Sequence, residues 1–138
     1  MKVDIQRLNQ AVHFEGRNSE QLKVFVDGSP EAGGEGKGVR PMEMILMALG
    51  SCASIDIVLI LEKMRQDLKD LKIEVEGKRA EDQVPKVFTD IHVTFILTGT
   101  FDEEKVARAA DLAINKYCSV KNMLDATVNI THSYEIRN

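Results

Sequence analysis

The stretch from Met42 to Arg65 constrains the fold more than any other part of this sequence. Pro41 suits the first turn of a helix, where its missing N–H would have no partner anyway. The side chains that follow are apolar almost all round, and a helix of that kind is either buried or spans a membrane. Glu43 and Asp56 interrupt the run and strands flank it, so we predict a central helix enclosed by protein. A chain of 138 residues covers such a helix poorly, and a second copy is the natural cover.

The residues before this helix predict a three-stranded antiparallel meander. Apolar residues at every second position, or in short runs separated by polar turns, are typical of strands. The three predicted strands are Val3 to Leu8, Ala11 to Gly16 and Leu22 to Asp27. Gly28 to Arg40 then reads as a mobile loop, because its glycines lack the strand, lysine and helix context of a phosphate-binding loop.

Two strands, two helices and a final strand are predicted after the long helix. Asp102 is a good N-cap, with Glu103 and Glu104 favourable in the first turn of the helix that follows. Residues of one parity in the second of these strands are expected to share a face, and they are Val87, Thr89, Ile91, Val93, Phe95 and Leu97. The predicted elements are a strand Lys72 to Lys78, a strand Val87 to Thr98, a helix from Asp102 to about Tyr117, a short helix Val120 to Asp125 capped by Ser119, and a strand Thr127 to Ile136.

The predicted order is therefore β-β-β-α-β-β-α-α-β, with strands grouped and helices packed on one side. This grouping indicates an α+β fold. With no repeat and no linker in the sequence, we predict one domain over residues 1–138.

The charge balance argues against a nucleic-acid partner. The chain has 18 basic and 22 acidic side chains and a net charge of -4, so no basic surplus is present to neutralise phosphates. Its first residues carry no apolar signal core and no lipidation motif, from which we expect a cytoplasmic protein that does not span or bind a membrane.

Two cysteines, Cys52 and Cys118, are the strongest chemical candidates. In a reducing compartment they are either inert buried thiols or a reactive pair. Cys52 lies in mid-helix on a stripe with Asp56, and a nearby cation would be needed to favour its thiolate. The candidate cations are Arg17, Arg40 and Arg79. Cys118 precedes a short helix, whose N–H groups are expected to favour its thiolate.

The sequence supports a metal site or a hydrolase less well than a reactive cysteine pair. His13, His92 and His132 have no ligand spacing, so we expect no metal site and no cofactor. His132 shares the apolar parity of the last strand and is expected to be a core residue. A Cys52–His132 hydrolase has no local support, and the methionines at the start of the long helix are more typical of core packing than of a copper site.

Two segments resemble the cysteine motifs of the OsmC/Ohr family of osmotically inducible and organic hydroperoxide resistance proteins. The first is Pro41 to Cys52, PMEMILMALGSC, and the second is KYCSV, Lys116 to Val120, followed by Leu124 and residues 128–130. Ile55 to Leu61 and Pro85 to His92 are similar to one bacterial branch, the YhfA-like proteins.

The resemblance implies an OsmC-like fold and an intertwined homodimer whose long central helices are enclosed by sheets from both chains. It further implies that Cys52 is the peroxidatic cysteine and that Cys118 is the resolving one. The expected substrate is an organic hydroperoxide, and the expected reductant is an external dithiol such as a lipoylated protein. Met42 stands where the peroxidases of the family carry Glu, with Glu43 one residue later. Glu43, Arg17 and Arg40 are the candidate activating residues.

Two rival functions remain open at the level of sequence. One is a non-enzymatic dimer that binds a small apolar ligand and whose thiols do not turn over. The other is a protein-disulfide partner without peroxide turnover.

Overall fold

The computed structural model describes all residues from Met1 to Asn138. By internal contacts the chain divides into two compact units, Met1–Ile45 and Leu46–Asn138. The predicted α+β class is confirmed, and so is the predicted order of strands and helices. The assignment of residues 1–138 to one domain stays a prediction.

The first unit contains the predicted meander. Strands β1 (Val3–Arg7), β2 (Phe14–Asn18) and β3 (Lys23–Val26) pair antiparallel in the order β1-β2-β3. The predicted start of β2 at Ala11 is wrong, because residues before Phe14 form a turn. The Asn9 side chain accepts hydrogen bonds from the N–H groups of Ala11 and His13, at 3.0 and 3.2 Å, and so holds that turn.

The glycine-rich segment after β3 is organised by one buried carboxylate. Asp27, which is 2% exposed, accepts hydrogen bonds from the N–H groups of Gly28 (2.8 Å), Glu35 (3.0 Å) and Lys37 (3.1 Å). The N–H of Lys37, followed by that of Glu35, keeps the pKa of Asp27 below its ordinary value. The segment is a loop, as predicted, with one 3₁₀ turn at Pro30–Ala32.

The long helix α1 runs from Pro41 to Lys63. Arg40 is its N-cap, since its carbonyl accepts the first helical hydrogen bond, from Met44 at 3.0 Å. The Glu43 carboxylate reaches back to the Arg40 N–H at 2.9 Å, which is half of a capping box. The helix ends just before Arg65, which has a left-handed φ of 56°.

Only one stripe of α1 is covered. Leu49, Ala53, Ile57 and Leu61, which follow one another at four-residue intervals, are fully buried. Apolar side chains on the other side are exposed, including Met47 (53%), Ile55 (63%) and Leu59 (49%). By length and composition α1 could also cross a membrane, and 28% of its most apolar 18-residue stretch is buried. Within this chain the helix is therefore half enclosed.

A second sheet forms the platform of the larger unit. It contains β4 (Asp67–Arg79), β5 (Phe88–Thr100) and β6 (Asn129–Arg137) in the order β4-β5-β6. β4 and β5 pair antiparallel, whereas β5 and β6 pair parallel because a helical crossover joins them. β4 begins five residues before the predicted Lys72. The prediction missed this start because the first residues of the strand are mostly polar and exposed.

The predicted set of inward-facing residues of β5 is partly wrong, because the strand pair contains a β-bulge. Lys78 pairs with Asp90 and Arg79 with Phe88, which leaves Thr89 unpaired. The extra residue reverses the side-chain parity at this end, so Phe88 is buried whereas Val87 and Thr89 are exposed. The other four residues predicted for that face are buried as expected, namely Ile91, Val93, Phe95 and Leu97.

The crossover from β5 to β6 is three helical pieces. Helix α2 (Glu103–Asp111) begins at Asp102, whose carboxylate accepts the Glu104 N–H at 3.0 Å, as predicted. The predicted continuation to Tyr117 is wound differently, as a π-helical segment over Leu112–Tyr117. Helix α3 (Ser119–Leu124) follows, and its N-cap is Cys118 rather than the predicted Ser119.

The exposed side of α1 leads to a testable prediction about assembly. We expect a dimer at micromolar concentration, because water contact with this apolar side is costly. Ile55→Asp should shift the protein toward monomer in sedimentation equilibrium, whereas Glu62→Lys, at an exposed polar site on the same helix, should not. A folded monomer for the parent protein would contradict the prediction.

Candidate functional site

Cys52 lies near the middle of α1, about three turns after its first residue, and is partly exposed. Gly50, two residues earlier, is buried, and a Cβ there would lie 2.8 Å from the Cγ2 of Val75 in β4. The missing side chain lets the backbone of α1 approach β4 closely. The sequence around Cys52 thereby fixes this part of the helix on the sheet.

Cys118 lies at the junction of the π-helical segment and α3. Its Sγ accepts a hydrogen bond from the Lys121 N–H at 3.4 Å, so the thiol caps α3. The residue is 3% exposed. Its sulfur is therefore held in place by its own local backbone and shielded from water.

The fold brings the two cysteines near one another, since the Cys52 side chain is among the groups that raise the pKa of the Cys118 thiol. Burial raises the pKa of Cys118 to about 11, and the neighbouring Cys52 adds to the increase. The N–H groups of Lys121 and Val120 act in the opposite direction but do not outweigh burial. The N–H groups of α3 thus favour the Cys118 thiolate, as expected, but desolvation dominates and the pKa of Cys118 is raised.

Three of the four charged candidates named from the sequence have nearby partners for their side chains, namely Arg17, Arg79 and Glu43. Arg17 binds Glu15, and its hydrogen bond and charge keep the pKa of Glu15 below its ordinary value. Arg79 donates through Nε to the Lys86 carbonyl at 2.7 Å, and Glu43 binds the backbone of its N-cap residue, Arg40. The activating roles of Arg17, Arg40 and Glu43 stay predictions.

His92 and His132 lie on different strands and have different neighbours. His92 lies on the polar face of β5, where its Nδ1 and Nε2 bind Thr131 and Ser133 at 2.7 and 2.8 Å. His132 is part-buried on β6 and meets the Phe95 ring edge-on at 6.5 Å, as expected for a core residue. Burial lowers the pKa of His132.

A cavity lies near the two cysteines along the chain, because Asp56 in its wall is one helical turn from Cys52 and Tyr117 in its wall immediately precedes Cys118. It has a volume of about 430 Å³ and lies between α1 and the π-helical segment. Apolar side chains make up much of its wall, and the residues that line it are Asp56, Leu59, Ile60, Lys63, Met64, Leu112 and Tyr117. The sequence placed Asp56 on the stripe of Cys52 as an interruption of an apolar run, but it did not show the cavity, because the facing wall comes from residues more than fifty positions away.

Comparison with known proteins identifies the family. The family model described as "OsmC-like protein" matches residues 34–133. The chain belongs to the OsmC-like family. The resemblance inferred from the two cysteine motifs is therefore confirmed, and both motifs lie within the matched residues.

Individual relatives agree with this assignment. Protein YhfA of Escherichia coli K12 is 44% identical over 128 residues, which is 92% of each chain. A hypothetical protein of Aquifex aeolicus shares 32% identity at a TM-score of 0.84, with 99% of this chain and 95% of that chain covered. The organic hydroperoxide resistance protein OhrB of Bacillus subtilis is 18% identical at a TM-score of 0.65, covering 97% and 96%, and so shares the OsmC-like fold.

The unequal burial of the thiols in this OsmC-like protein predicts unequal reactivity. At neutral pH iodoacetamide should modify Cys52 rapidly and Cys118 slowly, because Cys118 is buried and its pKa is about 11. In a Cys52→Ser variant the rate of Cys118 alkylation should keep rising at pH values well above those at which an ordinary thiol is fully ionised. Peptide mass spectrometry measures both rates, and fast modification of Cys118 at neutral pH would contradict this description.

The same pKa predicts how stability depends on pH. An unfolded cysteine ionises near pH ~8.5, so above that pH the unfolded chain binds fewer protons than the folded one. The free energy of unfolding should therefore fall as the pH rises toward 11. A Cys118→Ser variant should lose this part of the pH dependence in urea titrations.

Proposed function

We propose that this protein is a cytoplasmic, homodimeric, thiol-dependent peroxidase that reduces organic hydroperoxides. The observation that carries the proposal is the proximity of two thiols of unequal exposure, close in the chain to residues that line a largely apolar cavity. Membership of a family that includes organic hydroperoxide resistance proteins supports a redox role.

Cys52 is the better placed of the two to meet a peroxide, because it is partly exposed. In the proposed first step its thiolate attacks the outer oxygen of the hydroperoxide. The S–O bond forms and the O–O bond breaks, so that Cys52 becomes a sulfenic acid and the organic part leaves as an alcohol after taking up one proton. Sulfur is oxidised and the peroxide is reduced by two electrons.

Cys118 is suited to the second step. Its raised pKa keeps it protonated and unreactive toward peroxide at neutral pH, while its position keeps it against Cys52. The Cys118 sulfur attacks the sulfur of the Cys52 sulfenic acid, a disulfide forms, and the sulfenic oxygen leaves as water with the proton of the Cys118 thiol. A resolving thiol so close intercepts the sulfenic acid before irreversible oxidation.

An external dithiol is proposed to restore the pair. Two thiol–disulfide exchange steps would return both cysteines to thiols and leave the reductant as its disulfide. A lipoylated protein has the required chemistry, because its two thiols are joined by a short chain. The apolar wall of the cavity favours alkyl over hydrogen peroxide as the oxidant.

The homodimer is supported by the apolar side of α1, which this chain leaves exposed. A second copy would cover it, and the interrupting residues Glu43 and Asp56 argue against lipid as the cover. The net charge of -4 gives no support for a nucleic-acid partner.

One oxidation experiment tests the proposed chemistry. After one equivalent of cumene hydroperoxide, mass spectrometry of the intact chain and its peptides should show a Cys52–Cys118 disulfide within each chain. Cys52→Ser should abolish peroxide consumption, whereas Cys118→Ser should allow a single turnover followed by over-oxidation of Cys52. Equal, partial losses in the two variants would contradict the assigned roles.

A second candidate function has one observation in its favour. The first unit has a separate apolar groove of about 310 Å³, lined by Val3, Ile5, Leu22, Val24 and Met44 among others. A non-enzymatic dimer that binds a small apolar ligand would use such a groove. That function predicts two untouched thiols after cumene hydroperoxide, which the peroxidase does not.

A further inference from the structure

Asp56 has a carboxyl oxygen without a partner beside the thiol pair. Its Oδ2 is buried and accepts no hydrogen bond, although the residue lines the 430 Å³ cavity. Buried polar atoms are nearly always hydrogen-bonded, because removing them from water costs free energy. An unpartnered carboxyl in a cavity is therefore a candidate for a functional role.

The position of Asp56 relates it to both cysteines. It follows Cys52 by four residues on α1, a spacing that places two side chains on the same face of a helix with Cβ atoms about 5–6 Å apart. Tyr117, on the facing wall of the cavity, immediately precedes Cys118. The carboxyl thus lies next to the place where a peroxide would meet the Cys52 sulfur.

The proposed reaction needs a proton at this place. When the O–O bond of an alkyl hydroperoxide breaks, the departing oxygen would be a strongly basic alkoxide unless it receives a proton. A positioned acid typically accelerates such a step by about 10²–10⁴-fold. Burial raises the pKa of Asp56, so its carboxyl stays protonated at a higher pH than an exposed aspartate.

We infer that Asp56 is the catalytic proton donor to the departing alcohol oxygen, an inference that rests on the proposed peroxidase function. The Cys52 thiolate takes the outer OH of the hydroperoxide, the O–O bond breaks, and the inner oxygen takes the Asp56 proton. The products are the Cys52 sulfenic acid, the alcohol and the Asp56 carboxylate. Asp56 then regains a proton from solvent through the open cavity.

Two other titratable side chains face Asp56 across the cavity, Lys63 from α1 and Tyr117 from the π-helical segment. Lys63 is eleven residues beyond Cys52, which is about 16 Å along a helix. Tyr117 is 51% exposed, and the Lys116 ammonium lies 5.3 Å from the centre of its ring. Asp56 is the one of the three that combines a buried, unpartnered atom with a position one turn from Cys52.

The test compares two reagents on Cys52 in a Cys118→Ser background. Cumene hydroperoxide releases an alkoxide that needs a proton, whereas iodoacetamide releases iodide, which needs none. The ratio of the two rate constants cancels the ionisation of Cys52, because both reagents consume the same thiolate. The ratio therefore reports on the proton donor alone.

We expect this ratio to fall as the pH rises through the pKa of Asp56, which burial places above that of an exposed aspartate, because the carboxyl then loses the proton that it donates. Asp56→Asn should lower the ratio about tenfold or more at the acidic end and make it independent of pH. Glu62→Gln removes an exposed carboxylate of the same helix and should leave the profile unchanged. Iodoacetamide rates should stay within about twofold in both variants, since neither change is aimed at the thiol itself.

Several results would overturn the role of Asp56. They are an unchanged ratio in Asp56→Asn, an equal fall of both rate constants, or a flattened profile in Lys63→Gln or Tyr117→Phe instead. The pH dependence of the ratio can also be measured in the Cys118→Ser protein with Asp56 intact. If the ratio does not change with pH in that protein, the role of Asp56 is excluded, even where Asp56→Asn fails to fold. If cumene hydroperoxide leaves Cys52 untouched while iodoacetamide modifies it, the peroxidase function has failed and this inference fails with it.

Discussion

The proximity of Cys52 to Cys118 is the constraint on which the proposed chemistry depends. Neither cysteine is remarkable in its own segment, since one lies in mid-helix and the other at a short helix N-terminus. Their meeting requires that α1 lie close on β4, which the absent side chain of Gly50 allows. It also requires that the crossover between β5 and β6 return Cys118 to α1, where its burial raises its pKa to about 11. The difference in exposure between the two sulfurs then separates the roles of attack and resolution.

Much of the fold could be predicted because local patterns and tertiary packing agree. The three-stranded meander follows from alternating residues, α1 starts at the predicted Pro41, and the Asp102 side chain accepts the Glu104 N–H at the start of α2. The prediction failed where one residue changes the geometry. A bulge at Thr89 reverses the inner face of β5, and the widened turn over Leu112–Tyr117 has no signature in side-chain periodicity. The cap at Cys118 was missed because a serine, the commoner capping residue, follows it.

Part of the candidate site could be predicted from the sequence, and part could not. The cysteines could be named from two motifs, because a family resemblance fixes residues that carry chemistry. The protonation state of Cys118 could not be predicted, because burial opposes the backbone N–H groups and only the folded chain shows which is larger. Asp56 could not be recognised either, since its importance arises from the cavity wall that residues 112 and 117 supply.

The most direct test of the account is to trap the proposed intermediate on the residue assigned to form it. A Cys118→Ser protein treated with one equivalent of cumene hydroperoxide in the presence of dimedone should carry a dimedone adduct on Cys52, because no resolving thiol competes for the sulfenic acid. The Cys52→Ser protein, treated identically, should carry none on Cys118, whose thiol is buried and protonated. An adduct on Cys118, or no adduct on Cys52, would contradict the account.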